Sequence, residues 1–99
     1  MRFGFHVEAE LEYAEAVRNY LAIDSRIAES FISEIEHGTS AICRNPLTWR
    51  IVDGDVRRYL VHRFPYGIYY SIEDDFITIW AVMHLSREPE YWKSRQRGQ

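Results

Sequence analysis

The chain has 99 residues, 46% of them apolar, a formal net charge of −3 and one cysteine. That length suits one domain, residues 1–99, with one two-layer core and no room for a separate cofactor domain. The balance argues against a strong nonspecific nucleic-acid binder, no apolar run reaches the 18 residues of a membrane span, and one cysteine forms no internal disulfide.

The acidic total hides an asymmetry. Residues 1–43 carry three Arg against eight Asp/Glu, and residues 44–99 carry nine Lys/Arg against seven Asp/Glu. Eleven of the twelve cations are arginine, whose planar fork grips a carboxylate or phosphate at two points. This reads either as a solvated surface with local salt bridges or as a basic sheet face backed by acidic helices. The first residues, Met1 to His6, lack the apolar region and cleavage site of a signal peptide, and the lone Cys43 suits a reducing cytoplasm. Its place on a predicted helix favours a buried structural thiol over a nucleophile.

Phe3-Gly4-Phe5-His6-Val7 alternates like a short first strand. A helix follows from about Ala9 to Ile23. Leu11, Ala14, Val17 and Leu21 fall on one face, and Glu8, Glu10, Glu12 and Glu15 suit the positive end of its dipole. Asp24 or Ser25 caps a second helix striped by Ile27, Phe31, Ile35 and Ile42, with Ala28 and Ile32 alongside. Gly38 marks a bend or early end within it, and Asn45-Pro46 stops it. The short break at Asp24 makes the two helices an antiparallel hairpin.

The remainder reads as strand. Trp49 to Val52 leads into the turn signal Asp53-Gly54, and Val56 to Phe64 follows. Pro65 donates no ladder bond and implies a bulge or break. Gly67 to Glu73 continues, and Asp74-Asp75 turns the chain into Phe76 to His84. Glu88-Pro89 starts a short terminal helix. The fold class is α+β, in the order β-α-α-β-β-β, with a helical hairpin on one face of a mainly antiparallel sheet.

Arg57-Arg58, the Arg63-Phe64-Pro65-Tyr66 block, His84-Leu85-Ser86-Arg87 and the Tyr91-Trp92-Lys93 tail sit along these strands. Together with the element order, and with Glu10, Ala14, Tyr20 and Phe31 nearer the N-terminus, they resemble the RelE/ParE superfamily of toxins from type II toxin–antitoxin modules. The ParE-like plasmid-stabilization branch is the nearer one. The resemblance implies a cytoplasmic bacterial toxin that inhibits growth and is held inactive by a cognate antitoxin. It implies contact with DNA only indirectly, through the antitoxin complex, and no membrane partner. RelE-like members cleave mRNA on the ribosome, whereas ParE-like members poison DNA gyrase. Cleavage needs cations around the scissile phosphate and a group that moves the 2′-hydroxyl proton. RelE-type nucleases place an Arg in the strand after the central break. Here that strand reads Tyr66-Gly67-Ile68-Tyr69-Tyr70-Ser71, with Ile68 nearest that position and no cation beside it. The leading expectation is therefore a ParE-like toxin that binds a protein target such as DNA gyrase. A ribosome-dependent mRNA endonuclease is the alternative, and a degenerate module that only binds its antitoxin is the third reading.

By alternation Arg57 and Arg63 share a face with Tyr59 and Val61, and Arg58 points the other way with Leu60 and His62. One set faces the helices, so one arginine is expected partly buried against a helix carboxylate. Arg57, Arg63, Arg87 and Trp92 are the candidates for binding target or antitoxin. His84, Arg87 and Tyr91 are the catalytic candidates if the protein is a ribonuclease, with His84 as general acid or base. The competing reading has His84 and Arg87 pinning the C-terminal segment, and Tyr91 and Trp92 packing on the sheet. His6, His37 and His62 are too dispersed for a metal site, and there is no Gly-rich phosphate loop. No cofactor is expected.

Overall fold

In the computed structural model, which describes residues 1–87 and 93–97, a helical hairpin lies across one face of a five-stranded sheet. The elements run β1 (Arg2–Phe5), α1 (Val7–Ile23), α2 (Ser25–Arg44), β2 (Arg50–Asp53), β3 (Val56–Leu60), β4 (Tyr66–Glu73), β5 (Phe76–His84) and α3 (Lys93–Arg97). The expected β-α-α-β-β-β order holds, with Arg50–Asp53 as a strand in its own right at the sheet edge. The strand order is β1-β5-β4-β3-β2. The β1–β5 pair is parallel and the other pairs are antiparallel. β1 therefore joins a strand more than 70 residues away, a pairing that local pattern does not specify.

Three turns follow from residue chemistry. Asp24 caps α2, its side chain accepting the Arg26 N–H at 2.8 Å. Gly54 adopts φ 56° between β2 and β3, and Asp74 adopts the same angle between β4 and β5. The expected break falls here: β3 stops at Leu60, before Phe64, and Pro65 immediately precedes the start of β4 at Tyr66. Gly38 does not end α2, which is continuous to Arg44. It lies against Tyr59, whose ring a Cβ would meet at 2.7 Å, so close approach to the sheet accounts for the glycine.

Phe31, Ile35 and Ile42 of α2 are buried against Tyr59, Ile68, Tyr70, Ile77 and Ile79 of the sheet. α1 departs from its expected face. Ala9 and Ala16 are buried, with Tyr13, Val17 and Tyr20 packed beside them. Leu11 and Leu21 are 60% and 51% exposed, and Ala14 is exposed as well. Two alanines seven positions apart let the backbone of α1 approach the sheet more closely than leucines would. Cys43 is only partly buried and packs at the margin of the core.

The opposite face of the sheet buries Val56, Tyr69, Ala81 and Met83. α3 is tied to both sides of that face. Lys93 pairs with Asp53 at 2.6 Å and Gln96 donates to Asp55, while Arg95 reaches Glu12 and the Trp80 carbonyl. The Glu12–Arg95 pair, 2.7 Å and largely buried, also closes the edge of β5 beyond the end of β1, because Glu12 accepts the Val82 N–H. The expected helix start at Glu88-Pro89 lies outside the described residues.

Candidate functional site

The residues singled out by sequence divide between three places. Arg57 lies on the helix-facing side of β3, opposite Tyr70. Its guanidinium donates to the carbonyls of Leu47 at 3.2 Å and Trp49 at 2.6 Å. Backbone carbonyls of the α2–β2 loop thus hold it, where a helix carboxylate was expected. Beside it the Tyr70 hydroxyl donates to the Pro46 carbonyl at 2.6 Å. Burial pushes that phenol up to about 12, opposed by the Arg57 charge. Together these groups anchor the loop that delivers the chain from helix to sheet.

Arg63 lies in the β3–β4 loop at φ 73° and is mostly exposed. It stands 4.0 Å from Glu34 of α2 and lines a shallow groove with Asp24, Arg26, Ile27, Ser30 and Phe64. A contact that long and exposed contributes little to stability.

The third place is the end of the sheet where β4 begins and β5 finishes. Tyr66 and His84 are register partners there, their rings edge to face at 5.3 Å. The turn after β5 closes with the Arg87 N–H donating to the His84 carbonyl. His84 Nδ1 accepts the Ser86 N–H at 3.1 Å, with Ser86 Oγ at 2.8 Å. Accepting at Nδ1 leaves the proton of a neutral His84 on Nε2. Tyr66 packs on Phe31 and Tyr20. Burial raises its phenol above the usual range, as does Tyr20, while Arg87 opposes the shift and Glu15 and Glu12 add to it. The hydroxyl is therefore a proton donor at neutral pH.

A cavity of about 100 Å³ opens at this corner, lined among others by Glu12, Glu15, Asn19, Tyr66, His84 and Arg87. His84 and Arg87 are thus brought together, and Arg57 is not with them. Tyr91 and Trp92 lie outside the described residues. Sequence reasoning missed Glu12, Glu15 and Asn19, which a helix pattern shows only as polar positions. Arg95 and the Val82 N–H already occupy Glu12, so Glu15 and Arg87 are the charges this cavity presents to a partner. The strand segment Gly67–Ser71 is buried throughout, and Ile68 is wholly inaccessible beneath α2. Among the described residues no group of three His, Cys, Asp or Glu is placed to hold a metal ion. No helix among them is long and apolar enough to cross a membrane.

A helical hairpin over a mainly antiparallel sheet, with β1 returning beside β5, is the architecture of the RelE/ParE toxins. A chain of the chromosomal ParDE TA system from P. aeruginosa superposes with a TM-score of 0.73, covering 85% of this chain and 95% of that one. At 15% identity that match establishes the fold alone. No curated protein matches the sequence. The family model described as ParE toxin of type II toxin–antitoxin system, parDE, matches residues 5–89. The chain belongs to the ParE toxin family of type II toxin–antitoxin systems.

Proposed function

We propose that the protein is the toxin of a toxin–antitoxin pair that arrests growth by binding a protein target, DNA gyrase, and is neutralised by an antitoxin encoded beside it. Arg63 and Arg87, both exposed, are the described residues assigned to contact with target or antitoxin, with Trp92 as a further contact. Arg57 is set aside as a contact residue because the loop carbonyls hold its guanidinium.

The observation that carries this reading is the burial of Gly67–Ser71 along the centre of β4. The centre of β4 offers no solvent-facing cation to a scissile phosphate. One missing stabiliser of that kind lowers a rate on the order of 10²–10³-fold. The test is induction in growing cells together with a supercoiling assay on purified gyrase. Messenger RNA is expected to stay intact while supercoiling is inhibited, and Arg63→Glu or Arg87→Glu is expected to relieve the inhibition. Codon-phased cuts in mRNA on translating ribosomes, abolished by His84→Ala, would instead establish a RelE-like nuclease acting through His84, Arg87 and Tyr91. A chain inert in both assays that still co-purifies with the neighbouring gene product would be a module that only binds its antitoxin.

A further inference from the structure

The outward face of α1 carries a second apolar stripe that the fold does not use. Val7, Leu11, Ala14, Arg18 and Leu21 follow the alternating four- and three-residue spacing of a coiled-coil seam. They point away from the sheet, on the side of the helix opposite Ala9, Tyr13, Ala16 and Tyr20. Val7 is 62% exposed, Leu11 60% and Leu21 51%. Leucines that far into solvent, in line along one helix, mark an interaction surface more than chance exposure. At the middle of the stripe stands Arg18, exposed and without an ion pair among the described residues. Glu15 is exposed one turn away.

We propose that this face binds a second copy of the chain, α1 against α1, antiparallel about a two-fold axis level with residue 16. In that register Leu11 of each copy meets Leu21 of the other. Arg18 lies over Ala14, whose small side chain leaves room for the arginine stem. Its guanidinium then reaches Glu15 of the other copy, and the symmetry makes the contact twice. The two glutamates nearest the axis are each compensated by an arginine from across it. Sliding the helices so that Leu11 meets Ala14 would leave Leu21 uncovered and bring Arg18 over Val7, so the first register buries more apolar surface. A 17-residue helix offers a contact about 25 Å long. A single helix pair falls at or below the size of a standard interface, so the dimer is weak.

Sedimentation equilibrium on the purified protein, from about 10 µM to 1 mM, reads the association directly. A reversible monomer–dimer equilibrium is expected, abolished by Leu11→Glu at an exposed position that leaves the circular dichroism unchanged. Arg18→Glu and Glu15→Arg should each weaken it on the order of tenfold, and the double exchange should restore it. In a Cys43→Ser background, Leu11→Cys and Leu21→Cys together should form an interchain disulfide. Either cysteine alone should not, since each lies roughly 15 Å from its own copy along the axis. A protein monomeric across the range, a dimer indifferent to Leu11→Glu, or self-linking of the single cysteine variants would each overturn the proposal.

Discussion

Tyr66 and Tyr70 stand four residues apart on the same face of β4, and each has an arginine as its electrostatic neighbour, yet the two pairs do different work. Tyr70 is wholly inaccessible and bonded to Pro46, and Arg57 beside it is bonded to two further carbonyls of the same loop. The Tyr70 hydroxyl and Arg57 Nη1 are both directed at backbone carbonyls of that loop. Tyr66 is half-buried at the strand's first residue, just after Pro65, and Arg87 beside it is exposed at a cavity mouth. An arginine near a tyrosine is a clamp where the surrounding backbone offers it carbonyls, and stays accessible to a partner where the surroundings end in solvent.

Removing the two rings gives the largest contrast. Tyr70→Ala should cost about 3–5 kcal/mol, as for other large buried aromatics. Tyr66→Ala should cost about half as much, because its ring keeps only part of its surface in the core. Urea denaturation of both variants measures this, and equal losses would mean that the two positions are equally structural.

Alkali offers a second contrast. The folded Tyr70 phenol lies at about 12, above its ordinary 10.0, so the folded state holds that proton more tightly. The resulting stabilisation is complete below pH 10 and disappears as the pH climbs towards 12, a loss of roughly 2–3 kcal/mol. Tyr70→Phe should flatten most of that slope, and Tyr66→Phe should leave most of it in place. A slope unchanged in Tyr70→Phe would contradict the clamp.

The arginines sharpen the comparison further. Arg57→Ala removes a guanidinium donor from the Leu47 and Trp49 carbonyls and should cost about 1–3 kcal/mol. Its effect on growth arrest should follow its melting temperature. Arg87→Ala, at an exposed turn, should stay within about 0.5 kcal/mol of the parent and yet lose growth arrest. Thermal melting paired with a growth assay separates them. An Arg87→Ala protein that still arrests growth would remove Arg87 from the contact surface.

The smallest stability effect belongs to Tyr66→Phe. With the ring retained, stability should change by less than about 0.5 kcal/mol. A measurable loss of toxicity at unchanged melting would assign the hydroxyl to the site. No change in either would reduce Tyr66 to packing.

The helical hairpin, the turns at Gly54 and Asp74 and the strands around Pro65 were legible in the sequence because each rests on residues close together in the chain. α2 was read almost correctly, since Phe31, Ile35 and Ile42 recur at helical spacing and nothing competes with them. α1 has two apolar stripes, and the larger residues drew the reading to the wrong one. Only the sheet surface decides that Ala9 and Ala16, with Tyr13 and Tyr20 beside them, form the inner face. The grouping of Glu12, Glu15 and Asn19 with His84 and Arg87 was equally hidden, because α1 and the end of β5 meet only after folding. The same holds for the Glu12–Arg95 pair, whose partners lie more than 80 residues apart. Local periodicity and turn chemistry determined which elements form and which family the chain resembles. Which side of α1 is buried, which arginines the backbone holds and where the cavity opens were decided by tertiary packing, because each depends on groups that only the folded sheet brings together.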